Sequence, residues 1–131
     1  MYFVTWRLGA GQPPLAEGER ALVMAAVRHF DGERYYLAAC VIMDDHVHVL
    51  VQPAERLKLE RITHSWKSYS ANRLQLSFGR GGRIWQSESF DRIVRDHEEF
   101  DEKYRYIAKN PRKRWPDITS YESLYLPLGM E

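Results

Sequence analysis

A chain of 131 residues, 44% apolar and 13% aromatic, suffices for one domain with an ordinary core and is too short for several. Its net charge of +1 argues against a simple polycation that coats nucleic acid, and its single cysteine, Cys40, excludes a disulfide framework. No apolar run, residues 21–27 included, is long enough to cross a bilayer, and the first residues lack the basic start and apolar stretch of a signal peptide, so a cytoplasmic protein without a membrane partner is expected.

Tyr2 to Leu8 is aromatic and β-branched and predicts a first strand, followed by a Gly/Pro loop from Gly9 to Pro14. Glu17 to Phe30 carries Ala21, Leu22, Met24, Ala25 and Val27 in helical rhythm. Arg34 to Met43 predicts a long apolar strand, and Asp44-Asp45 a tight turn into a second one that ends at Pro53. In that second strand Val47, Val49 and Val51 alternate with His46, His48 and Leu50. Alternate side chains of a strand point to opposite faces, so the valines form a core row while two imidazoles stand side by side on the other face, spaced to hold one divalent cation.

Leu57 to Ser77 predicts the longest helix, with Leu59, Ile62, Trp66, Tyr69, Leu74 and Phe78 as its apolar positions and Gly79, Gly81 and Gly82 as breakers. Arg83 to Trp85 and Ser89 to Val94 read as a broken or bulged strand. Asp96, with Glu99 three residues on, opens a helix expected to run to Asn110 and stop at Pro111. In it Phe100, Tyr104 and Ile107 make the buried stripe, while Tyr106 falls on another face, one turn before Asn110. From Lys103 to Arg114 the basic residues Lys103, Arg105, Lys109, Arg112, Lys113 and Arg114 meet no acid, which fits a phosphate-binding surface on one side. The order β-α-β-β-α-β-α predicts an α+β ferredoxin-like sandwich: a four-stranded antiparallel sheet, helices on one face, and an additional C-terminal helix carrying the tyrosine. One domain over 1–131 is expected, with a core of about 2–115 and a tail, 116–131, packed on it.

These residues have a chemical logic together. A phenol can attack phosphorus and hold a phosphoester. At neutral pH an unassisted phenolate costs about 4 kcal/mol, and a cation at the two histidines would polarise the phosphate and offset the developing charge. Asn110, on the same helical face as Tyr106, could offer an oxygen as third ligand.

The string Asp45-His46-Val47-His48-Val49-Leu50-Val51, then Trp85-Gln86, Phe90-Asp91, Ile93-Val94-Arg95-Asp96 and Tyr106-Ile107-x-x-Asn110-Pro111, resembles the single-tyrosine HUH transposases, IS200-like, in the branch associated with repetitive extragenic palindromes (REP). Lys67-Ser68-Tyr69 adds to the likeness. The resemblance implies a metal-dependent DNA endonuclease and strand transferase, acting on single-stranded DNA with a hairpin through a 5′-phosphotyrosine intermediate. It implies Tyr106 as nucleophile, His46, His48 and Asn110 as ligands of Mg²⁺ or Mn²⁺, and a monomer or homodimer associated with the nucleoid. Lys67, Arg83, Lys103, Lys109, Arg112, Lys113 and Arg114 are the expected DNA contacts. The alternatives are a domesticated protein that binds hairpin nucleic acid without cutting it, and a metal phosphodiesterase that uses water.

Overall fold

The computed structural model describes residues 1–129. Among them the elements run β1 (Tyr2–Leu8), α1 (Glu17–Arg28), β2 (Tyr35–Ile42), β3 (His46–Pro53), α2 (Leu59–Phe78), β4 (Trp85–Ile93), α3 (His97–Arg114) and β5 (Leu124–Tyr125). The strands form one sheet in the order β4-β1-β3-β2-β5, antiparallel at every pairing. β3 is its middle strand. Val47, Val49 and Val51 join Val4 and Trp6 of β1 in a core closed by Val23 and Val27 of α1 and by Trp66 and Leu74 of α2. Leu50 points the other way and joins Val41, Tyr104 and Ile107 in a second core beneath α3. Burying each such aliphatic side chain stabilises the fold by roughly 1.5–3 kcal/mol. The sheet is thus sandwiched, with α1 and α2 on one face and α3 on the other.

The α+β ferredoxin-like sandwich is as expected, but its sheet has five strands rather than four. In the tail, Leu124 and Tyr125 pair with Val41 and Cys40 at the edge of β2. Ile42 N donates to Ser123 O at 2.9 Å, the Tyr121 hydroxyl donates to Ile42 O at 2.6 Å, and Tyr121 stacks on Trp115. A strand of two residues has no periodicity to announce it.

Two local expectations change. Tyr69 and Phe78, counted in the apolar stripe of α2, are exposed, and Ser70 takes the core position. A serine can hold that place because its Oγ accepts the Trp85 indole N–H at 2.9 Å and donates to Lys67 O at 3.3 Å, so neither the hydroxyl nor that indole is left unpaired. β4 is the bulged alternative of the expected strand: it runs unbroken from Trp85 to Ile93, and its register with β1 shifts between Trp6 and Leu8. α3 does not stop at Pro111 but runs through it to Arg114. The proline removes one helical donor, yet Trp115 N still donates to Pro111 O at 2.8 Å and closes the last turn. The start of α3 is as expected: the Asp96 carboxylate accepts Glu99 N at 2.9 Å.

The loops are fixed by polar contacts. A Cβ on Gly9 would lie 2.3 Å from Arg83 O, so only glycine lets the two chains cross there. Beside that crossing, Arg80 grips the buried Glu19 carboxylate with two N–H groups and donates to Pro13 O at 2.8 Å and Pro14 O at 2.9 Å. One guanidinium thus joins the α2–β4 loop, the proline loop and the first turn of α1.

Arg80→Ala leaves the buried Glu19 carboxylate without its cation and with only the Ala16 N–H as partner, and urea unfolding is expected to show a loss of about 3 kcal/mol. Arg80, through its hydrogen bonds above all, holds the Glu19 carboxyl below its ordinary value of 4.5. The stability this adds is complete above that value and disappears as pH falls through the lower native one. Glu19→Gln is therefore expected to unfold with a shallower acid dependence than the wild type.

Candidate active site

Register builds the site. β1 pairs with β3 so that Thr5 lies opposite His48 and Arg7 opposite His46, and paired residues of antiparallel strands share a face. The rings of His46 and His48 are 4.6 Å apart between centroids. Each has its Nδ1 occupied: the Asp45 carboxylate lies 2.6 Å from Nδ1 of His46, and Thr5 Oγ1 lies 2.7 Å from Nδ1 of His48. With Thr5 accepting, both imidazoles keep their Nε2 lone pairs for the cleft. Burial, and then the charges of His46, Arg7 and Lys103, push the His48 pKa down to about 3, so it is neutral at ordinary pH and able to act as a ligand.

α3 supplies the rest. Tyr104 is in the core, as its helical phase predicts, and its hydroxyl donates to Gly129 O at 2.6 Å. Tyr106 is 41% exposed and turns to the histidines. Its ring lies 5.2 Å from that of His48 and edge-on to Phe3 at 6.0 Å, while Phe3 stacks on His48 at 5.3 Å. Asn110, one turn on, is buried, with Oδ1 3.2 Å from Nε2 of His46. The four expected site residues, His46, His48, Tyr106 and Asn110, therefore meet within one chain, around a cleft of about 250 Å³. Larger hollows of about 660 Å³ between α1 and α2, and about 680 Å³ between α2 and β4, contain none of the four.

Two imidazole nitrogens and one amide oxygen form a borderline donor set, which suits Mn²⁺ better than Mg²⁺. When His46 donates its Nδ1–H to the Asp45 carboxylate, its Nε2 and the Asn110 oxygen are two acceptors facing each other. Their separation of 3.2 Å suits neighbouring ligands of one ion, whose bonds of roughly 2.1 Å place such atoms about 3 Å apart. Among the described residues no three His, Cys, Asp or Glu side chains converge. Two imidazoles and a carboxamide leave the remaining coordination positions to water or phosphate oxygens, as Mg²⁺ and Mn²⁺ prefer.

The basic residues divide. Lys113 Nζ stands 5.6 Å from the centre of the Tyr106 ring, and Lys103 Nζ 5.2 Å from that of Phe3. Lys109 and Arg112 are exposed on α3. Arg114 turns to the β2–β3 hairpin, with Nη2 2.7 Å from Asp44 and Nη1 3.9 Å from Asp45. Lys67 and Arg83 are not brought to the cleft; both line the hollow between α2 and β4. Lys67 Nζ donates to Ser87 O, Glu88 O and Ser89 Oγ, so it ties α2 to the edge strand, and burial lowers its pKa. Phe3, Thr5, Arg7 and Asp45 join the site without having been assigned to it from sequence. The alternation of β1 puts Phe3, Thr5 and Arg7 on one face, but only the register with β3 shows that this is the histidine face.

Comparison with known proteins identifies the family and the fold. The family model described as "Transposase IS200 like" matches residues 22–110, more than half of the chain. Among solved structures the fold is similar to a REP-associated tyrosine transposase bound to a REP hairpin, with a TM-score of 0.71 and 19% identity, covering 86% of this chain and 67% of that one. It is also similar to a proposed transposase of Deinococcus radiodurans R1, with a TM-score of 0.62 and 20% identity, covering 82% of this chain and 88% of that one. No curated protein matches the sequence.

Arg114→Ala removes the cation beside a buried carboxylate, since Asp44 Oδ1 is already buried without a hydrogen-bond partner. Denaturant titration is expected to show a loss of about 1–3 kcal/mol, with Arg114→Lys recovering part of it.

Proposed function

The chain belongs to the IS200-like transposase family, and on that premise we propose that it is a metal-dependent single-stranded DNA nuclease and strand transferase that forms a 5′-phosphotyrosine intermediate at hairpin-containing DNA. The observation that carries this reading is the packing of Tyr106 against His48, with Asn110 against His46, inside one chain. It favours a site complete in a monomer. The hairpin is suggested by the REP hairpin bound to the similar solved structure.

In the proposed reaction the Tyr106 oxygen attacks the scissile phosphorus from the side opposite the departing 3′ oxygen. An O–P bond forms to the tyrosine, the P–O3′ bond breaks, and the phenolic proton is balanced by the one gained by the leaving 3′ hydroxyl. Attack of a 3′ hydroxyl on the phosphotyrosine reverses these bonds and joins the strand. His46, His48 and Asn110 would hold Mg²⁺ or Mn²⁺, which when bound polarises the phosphate and neutralises its charge. The chain's own contribution is position. Thr5 and Asp45 fix the two imidazoles, Phe3 braces the Tyr106 ring, and the Lys113 ammonium, 5.6 Å from the centre of that ring, adds positive charge on the nucleophile's side of the cleft. No helix among the described residues is long and apolar enough to cross a membrane.

An end-labelled oligonucleotide with a hairpin and a single-stranded flank tests this in the presence of Mn²⁺. The wild type is expected to give a denaturant-resistant protein–DNA adduct. Tyr106→Phe, which lacks the attacking oxygen, is expected to abolish it, and His46→Ala or a chelator to reduce it by about 10³-fold or more. An adduct that persists in Tyr106→Phe removes Tyr106 as nucleophile. Cleavage that persists without an adduct points to water as the nucleophile, and binding without cleavage to a domesticated binder.

A further inference from the structure

The sheet face that carries the histidines is only half covered. α3 packs over β2 and β3, while the same face of β1 and of the edge strand β4 extends beyond it. Register determines what lines that open half. Thr5 is paired on one side with His48 and on the other with Phe90, so His48, Thr5 and Phe90 form one row across three strands. The orientation has an independent check. Arg92 Nη2 lies 3.1 Å from Glu99 in the first turn of α3, so Arg92 is on the α3 side, and Phe90, two residues before it, has the same parity. Phe90 is nevertheless 60% exposed. A phenyl ring so placed adds little to the core and lies on a strand edge, where apolar exposure invites aggregation.

Its surroundings suit a nucleotide. Two strand spacings, about 10 Å, separate Phe90 from His48, within reach of a base next to the reacting phosphate or one further on. Arg7 is exposed two residues from Thr5 on the same face and lines the cleft, and Lys103 stands over Phe3 on the other side of the row.

We propose that Phe90 is a stacking platform for one unpaired base of single-stranded DNA flanking the scissile phosphodiester, with Arg7 and Lys103 on the neighbouring phosphates. This rests on the function proposed above and adds a subsite to it. An aromatic face accepts any base, so the subsite positions the strand without reading its sequence.

The test uses the full chain in a chelating buffer, where cleavage does not interfere. Hairpin oligonucleotides carry a single-stranded flank with 2-aminopurine at one position at a time. Fluorescence quenching is expected at one flank position in the wild type and to be lost in Phe90→Ala, with binding weakened about five- to hundredfold. Phe90→Trp is expected to keep both, and a blunt hairpin without a flank to bind the wild type and Phe90→Ala equally. Wild-type affinity and quenching in Phe90→Ala overturn the platform. So does a changed oligomeric state with unchanged DNA binding, which assigns the ring to contact with a second copy. The adduct assay is separate: a wild type that binds and quenches but forms no adduct overturns the proposed chemistry and leaves the platform standing.

Discussion

The alternation along β3 cannot be satisfied in any other way. The strand is hydrogen-bonded on both sides and packed on both faces, with valines against Trp6 and Trp66 and Leu50 against Ile107. A slip of one residue would push two imidazoles into the aromatic core and bring valines to the cleft. The packing that stabilises the sheet is therefore also what aims His46 and His48. Because β1 is held to the same strand, the position of Thr5 beneath His48 follows from backbone pairing rather than from any local preference of threonine.

Charge is arranged as carefully as shape. The run from Lys103 to Arg114 reads as one basic patch, but its members do different work. Arg114 pairs with Asp44 of the hairpin and lies 3.9 Å from Asp45, which also orients His46. Lys103 and Lys113 lie against aromatic rings at the site, and Lys109 and Arg112 stay in solvent. A net charge near zero is thus compatible with a strongly cationic cleft, because acids are used where the scaffold needs them. The buried Glu19–Arg80 pair is the same principle applied to loops.

Sequence discloses what local rules control. The parity of Val47 to Val51, the Asp96 cap and the opposed phases of Tyr104 and Tyr106 were all readable, because each depends on residues within two turns or one strand. So was the constellation of His46, His48, Tyr106 and Asn110, with its chain order and family likeness. What stayed hidden depends on partners far along the chain. Ser70 is buried because Trp85 needs an acceptor, β5 exists because β2 has an unpaired edge, and Thr5 belongs to the site because of strand register. Pro111 illustrates the opposite case: the local rule that ends a helix at proline was outweighed by a last turn closed through Trp115.

α3 is tied down at both ends. Glu99 meets Arg92 of β4 near its start, and Asn110 and Arg114 meet the β2–β3 hairpin near its finish, with Tyr106 between them. A helix turns about 100° and advances about 1.5 Å with each residue. Losing or gaining a single codon between the two moorings would leave one of them engaged and swing the phenol to the wrong side of the rod. Point changes on the outer surface of this segment are tolerable on these grounds, whereas its length is not negotiable.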